Sequence, residues 1–151
     1  MPVTLRTPMP ADLAALSALC LRSKGHWGYD AAFLAACRDE LTLTPDDLAT
    51  TALIMAETAG TPVGLAQVDL RADPAELLKL FVDPPRIGTG LGRRLFDWSA
   101  QTARARGARA LRIEADPGAL PFYRAMGARC VGDAPSGSIR GRRLPLLMLT
   151  L

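Results

Sequence analysis

Apolar and polar positions alternate over residues 3–7 (VTLRT), the two-residue period of a strand, and the spacing then changes. Residues 8–12 open a helix that is expected to run to about Ser23, with Leu13, Leu16, Leu19 and Cys20 on one face. A second helix is predicted from Asp30 to about Leu41, carrying Phe33, Leu34 and Cys37. Residues 50–58 and 62–70 read as two strands joined by turn residues Ala59, Gly60 and Thr61, a hairpin signal. Residues 75–82 (AELLKLFV) form a third sheet segment, ended by Asp83-Pro84-Pro85. A glycine-rich loop follows, then a helix over 91–106 with Leu91, Leu95, Trp98 and Thr102 on one face, stopped by Gly107. Beyond it lie a strand (108–115), a short helix (119–126) and a strand (128–134). A final apolar strand, RRLPLLMLTL, suits the interior of a sheet. This order predicts an α/β (α+β) sandwich: a mixed, mostly antiparallel central sheet with helices on both faces, and a locally parallel strand pair wherever a helix crosses over.

The chain has 151 residues, 49% of them hydrophobic, which suffices for one core and leaves no room for a second domain of ordinary size, so residues 1–151 read as a single domain. Its start lacks the pattern of a secretory signal, and no stretch approaches the roughly 20 apolar residues of a membrane span. No membrane partner and a cytoplasmic location are therefore expected. Cys20, Cys37 and Cys130 are odd in number and lack metal-ligand spacing, which fits reduced, packed thiols and no metal site. The net charge of +3 is mild. Arginines cluster between Arg86 and Arg112 and at Arg140, Arg142 and Arg143, yet no aromatic run, zinc-finger spacing or lysine block accompanies them. That pattern favours a small anionic ligand over nucleic acid.

The stretch PPRIGTGLGRRLFDW places Gly88, Gly90 and Gly92 between a strand and a helix. Unpaired amides at a helix start carry the positive end of the dipole and bind anions, and glycine lets a phosphate approach the backbone. Arg93 and Arg94, in the first turn, are unfavourable beside that dipole unless an anion sits there. The alternative is a tight strand-to-helix turn with solvated arginines. The Walker pattern fails for want of Gly-Lys-Ser/Thr, and the dinucleotide fingerprint fails because the spacing is G-x-G-x-G past mid-chain.

Val82-x-Pro84 followed by Ile87-Gly88-Thr89-Gly90-Leu91-Gly92 resembles the acyl-CoA pyrophosphate loop, Arg/Gln-x-x-Gly-x-Gly/Ala, of the GNAT superfamily of N-acetyltransferases. Here Ile87 stands where Arg or Gln is usual and Arg86 is one residue early, so the resemblance implies binding mainly through backbone amides. DPGALPFYRAMGA (116–128) is similar to the family's later motif, with Tyr123 four residues before Gly127 and Asp116 where Asn is common. The order of elements along nearly the whole chain agrees, including the paired N-terminal helices. The resemblance implies an acetyl-CoA cosubstrate and no metal. It assigns cofactor contacts to Leu80, Phe81 and Val82, to Ile87, Gly88, Thr89, Gly90, Leu91, Gly92 and Arg93, and to Asp116 and Phe122. It also implies a bulge in the third sheet segment that would splay it from its neighbour and free the amides of residues 80–82 for the pantetheine arm.

Acetyl transfer to an amine needs a neutral nucleophile, a stabilised oxyanion and a proton or hydrogen bond for the leaving thiolate. The resemblance makes Tyr123 the general acid; its alternative is a packing tyrosine whose hydroxyl bonds to backbone. Glu76 is the candidate base. Simple alternation puts it on the apolar face of Leu78, Leu80 and Val82, which would raise its pKa; the alternative is a strand-end carboxylate paired with Lys79 or an arginine. For the acceptor, His26, Trp27 and Tyr29 in SKGHWGYD and Ser136 and Ser138 in PSGSIRGRRLP are candidate wall residues, with His26 a second-choice base. The alternative for the first segment is a packed surface joint, and for the second a flexible hairpin connection. No cysteine accompanies either motif in a nucleophilic setting, so direct transfer within a ternary complex is expected. The expected activity is N-acetylation of a primary amine of a small molecule or peptide; a non-catalytic acyl-CoA-binding module and an unrelated nucleotide-binding domain are the alternatives. Oligomeric state stays open, a homodimer drawing on the apolar C-terminal strand.

Overall fold

The computed structural model describes residues 2–151. Seven strands form one sheet in the order β1-β2-β3-β4-β5-β7-β6: β1 (Thr4–Arg6), β2 (Ala52–Thr58), β3 (Thr61–Asp69), β4 (Ala75–Val82), β5 (Ala110–Glu114), β6 (Arg129–Pro135) and β7 (Arg143–Thr150). Five helices accompany them: α1 (Leu13–Gly25), α2 (Ala31–Leu41), α3 (Pro45–Thr50), α4 (Leu91–Ala105) and α5 (Leu120–Ala125). Every pair is antiparallel except β4–β5, the pair that α4 crosses. A parallel pair needs such a crossover because its strands start at the same end of the sheet. The apolar β7 lies between β5 and β6, as its unbroken hydrophobic run predicts. No helix among the described residues is long and apolar enough to cross a membrane.

Two helical layers sandwich the sheet. On one face Leu13, Leu16, Leu19 and Cys20 of α1 and Cys37 and Leu41 of α2 pack with Leu53, Met55 and Leu65. On the other, Leu91 and Leu95 of α4 cover Ala66 and Val82, and Phe96 and Ala103 cover Val68, Leu77, Leu111 and Ile113. Each fully buried Leu or Ile contributes about 1.5–3 kcal/mol of burial free energy, so these stripes, rather than propensity, hold the helices. Arg6 clamps β1 to the entry of α1, meeting Glu57 at 2.9 Å and Asp12 at 2.9 Å.

Helix α3 was not expected, and it takes Thr50 from the strand predicted to begin there. Its signal is nonetheless local: Thr44-Pro45-Asp46-Asp47 puts proline in the first turn, and the Thr44 amide donates to Asp47 Oδ2 at 2.8 Å.

The alternation assumed for β4 also breaks. Val68 pairs with Leu77 and Gln67 with Lys79, leaving Leu78 as an extra residue. Leu77 and Leu80 therefore both face α4, while Glu76 shares the opposite face with Lys79 and Phe81 rather than with Leu80 and Val82. The same bulge bends β4 away from β5, whose pairing with it stops at Leu77 and Ile113. From Leu78 onward, β4 has no strand on that side.

Candidate active site

A cleft of about 450 Å³ opens where β4 and β5 part. Backbone and side chains of residues 77–82 form one wall, the start of α4 and α5 the second, and α1, α2 and the β6–β7 loop the third. Such a crevice at a splay exposes strand amides that elsewhere are consumed by a ladder.

The glycine triplet divides its labour. Gly88 (φ +82°) and Gly90 (φ +89°) occupy the left-handed region that glycine adopts without a steric penalty, and a Cβ on either would meet open space. Gly92 is different: it is helical, and a Cβ there would lie 3.2 Å from the Phe122 ring. It lets α4 and α5 close on each other, with Phe122 edge-on to Phe96 at 6.2 Å between centroids. The first helical backbone bond is from the Arg94 amide to Gly90 C=O at 3.2 Å, so the amides of residues 91–93 stand at the helix mouth without intrahelical acceptors. Ile87, Gly88, Gly90, Gly92 and Arg93 line the cleft. Thr89 and Leu91 do not: the Thr89 hydroxyl donates to Arg86 C=O at 2.5 Å, and Leu91, the first residue of α4, is buried against the sheet. Arg94 needs no bound anion to explain it, since its guanidinium donates to Val3 C=O at 3.1 Å.

Leu80, Phe81, Val82 and Phe122 line the cleft as well. Tyr123 lines it from α5, is 7% exposed, and its hydroxyl has no hydrogen-bond partner among the described residues. The ring packs in the core beside Phe96 and Phe122, but the hydroxyl is not bonded to backbone as the packing alternative supposed. Burial pushes the phenol well above the ordinary tyrosine range, and the nearby Asp116 carboxylate pushes it further.

Asp116, expected as a cofactor contact, lines the cleft and gathers Lys24, Tyr29 and Arg142 around its carboxylate. Its carboxylate accepts from Lys24 Nζ at 2.9 Å, Tyr29 Oη at 2.7 Å and the Gly118 amide at 2.9 Å, with Arg142 Nη2 at 3.7 Å. Burial works to raise its pKa, but the bonds from Lys24, Tyr29 and Gly118 outweigh it and hold the group below the usual carboxylate range. Tyr29 stacks on Phe33 at 3.9 Å, and the Lys24 and Arg142 cations lie over both rings. Tyr29 itself does not line the cleft, whereas Lys24 and Arg142 do. Trp27 lines it by lying on the backbone of Gly118, where a Cβ would come within 2.7 Å of the indole. His26 sits edge-on to Trp27 outside the lining. Ser136 and Ser138 both line the cleft. The Ser136 hydroxyl is occupied accepting the amides of Ser138 and Ile139, and Ser138 donates to Glu40 of α2.

Glu76 lies outside the cleft lining, 3.4 Å from Arg112. Burial raises its pKa, Arg112 opposes this, and Glu114 and Asp69 add to the rise. Glu114, one residue past the last β4–β5 pair, does line the cleft. Sequence reasoning missed Lys24, Glu40, Glu114 and Arg142, because each is brought to the cleft by tertiary contacts between segments far apart in the chain.

The acetyltransferase (GNAT) family model matches residues 20–128, and the chain belongs to that family. Among solved structures it is similar to a GCN5-related N-acetyltransferase from Rhodopseudomonas palustris (24% identity, TM-score 0.82, covering 100% of this chain and 97% of that one). It is also similar to the PaiA N-acetyltransferase of Thermoplasma acidophilum in complex with coenzyme A (18%, TM-score 0.80, 100% of both chains). A third similar structure is YncA, a putative acetyltransferase from Salmonella typhimurium with its cofactor acetyl-CoA (20%, TM-score 0.68, 99% of this chain and 94% of that one). At these identities the likenesses establish the fold. No curated protein matches the sequence.

Proposed function

We propose that this protein transfers the acetyl group of acetyl-CoA directly to a primary amine. The observation that carries the reading is the convergence, in one cleft, of a helix mouth with free amides, a strand edge released by the Leu78 bulge, and an unpartnered tyrosine hydroxyl. The family's known chemistry and the coenzyme A or acetyl-CoA in two of the similar structures support it.

In this reading the amides around Gly88, Gly90 and Gly92 hold the pyrophosphate, with Arg93 adding charge at the cleft side. Ile87 supplies no donor, so the backbone carries this contact. The exposed edge of residues 80–82 pairs with the pantetheine amides and offers an N–H to the thioester oxygen, where negative charge grows during attack. Acetyl-CoA supplies an activated acyl group with a thiolate leaving group. Tyr123 donates a hydrogen bond to that sulfur. Glu114, the carboxylate at the splay, takes up the amine's proton directly or through water, a role for which Glu76 and His26 lie outside the lining.

Thermal shift with acetyl-CoA, coenzyme A, ATP and NAD tests the cofactor, and thiol release across amino acids, polyamines, aminoglycosides and peptide N-termini tests transfer. Stabilisation by coenzyme A and acetyl-CoA together with amine-dependent thiol release is expected. Stabilisation by a nucleotide alone would sink the cofactor assignment, and coenzyme A binding with no amine turned over would favour a non-catalytic binding module.

A further inference from the structure

The wall of the cleft formed by α1, α2 and the β6–β7 loop holds two cations with unused N–H donors. Lys24 and Arg142 share one carboxylate, Asp116, while Glu40, the other carboxylate of this wall, is engaged with Ser138. The Lys24 and Arg142 side chains are 14% and 19% exposed, so water screens them weakly. Lys24 uses one of its three donors, on Asp116. Arg142 spends only Nη2, on Tyr29 Oη at 2.6 Å, and its Nε and Nη1 have no protein acceptor among the described residues. The guanidinium is also held in place, 5.2 Å from the centre of the Tyr29 ring and 4.9 Å from that of Phe33. A rigid planar fork with unused N–H groups suits the two oxygens of a carboxylate.

We infer that the acceptor is an amine that also carries a carboxylate, an amino-acid-type substrate whose anionic end is held by Arg142 and Lys24. A carboxylate fits the free N–H groups of the Arg142 fork, whereas a polyamine would bring further positive charge to the two cations. Arg142 and Tyr123 line the same cleft, so a carboxylate held by Arg142 occupies the cavity that the proposed transfer group also borders.

This inference rests on the acetyl-transfer reading, and the test keeps the two apart. Thiol release is measured with glycine, L-alanine, L-phenylalanine and L-lysine, each against its C-terminal amide, and with aminoethyl phosphate and spermidine, for the wild type, Arg142→Gln and Arg142→Lys. The expected result is a KM for the acids at least roughly tenfold below that of the amides, from one charge-assisted contact. Arg142→Gln should collapse the acid-to-amide ratio towards one, and Arg142→Lys should restore part of it. Equal KM for acid and amide, a preference for spermidine or aminoethyl phosphate, or an Arg142→Gln change that leaves the ratio intact would overturn the inference. If no amine is turned over, the acetyl-transfer reading fails by itself. The carboxylate site is then read by thermal shift of the coenzyme A-saturated protein, in which acids must stabilise more than amides and Arg142→Gln must abolish the difference.

Discussion

Removing one oxygen, Tyr123→Phe, separates catalysis from architecture in this cleft. The hydroxyl has no protein partner, so its loss breaks no hydrogen bond, and the ring keeps its packing beside Phe122 and Phe96. Stability should therefore change by less than about 1 kcal/mol, or roughly 2–4 °C in Tm for a chain of this size. The catalytic cost follows from acidity. A thiolate of pKa about 8.5 cannot take a proton easily from a phenol whose pKa burial lifts above about 10, so the hydroxyl acts mainly as a hydrogen-bond donor to developing charge. One charge-assisted bond is worth about 1.5–3 kcal/mol, which corresponds to a kcat lower by about 10- to 150-fold rather than by many thousandfold. Steady-state thiol release with acetyl-CoA varied gives both constants, and KM for acetyl-CoA should stay within about twofold, since the pyrophosphate contacts are untouched. Because the phenol stays protonated through neutral and mildly alkaline pH, the wild-type rate should show no alkaline loss attributable to it below about pH 10. A kcat reduced by less than threefold, or a large fall in Tm, would refute this assignment.

Gly90→Val places a β-branched residue at φ +89°, a strain of about 1–3 kcal/mol, and blocks the cradle; Tm should fall and KM for acetyl-CoA rise, as titration calorimetry and kinetics can check. Glu114→Gln should lower kcat/KM by about 10²-fold, whereas Glu76→Gln, outside the cleft, should change it by less than about threefold; the reverse pattern would restore Glu76 as base. Asp116→Asn should destabilise the protein by roughly 2–3 kcal/mol in urea melts by leaving Lys24 and Arg142 unpaired. Since the Asp116 pKa is depressed on folding, its stabilisation is complete above the unfolded value of 3.8 and is lost only as pH falls through the lower folded value; a loss beginning near neutrality would contradict this.

Motifs in which the chemistry and the chain neighbours coincide were legible in the sequence. The strand, glycine loop and helix at 75–105 needed only local spacing, and the hairpin turn appears at Ala59 (φ +49°) and Gly60 (φ +76°), within the residues expected. The crossed parallel pair followed from a helix between two strands. What escaped was set by register and by long-range contact. One extra residue, Leu78, moved Glu76 to the other face, a shift that no periodicity within β4 announces. Arg142 and Lys24 are separated by more than a hundred residues and meet through Asp116, Tyr29 and Phe33. Arg94 looked like an anion ligand by position, yet its partner is a carbonyl on the N-terminal segment.

The most direct measurement follows the acetyl group itself. Incubated with acetyl-CoA deuterated in the acetyl methyl and with an amine found active by thiol release, the protein should place the label on the amine nitrogen, seen by mass spectrometry as an amide that forms in step with free coenzyme A and never as an acyl-enzyme. Label recovered only as acetate, or retained on the protein, would contradict direct transfer to an amine.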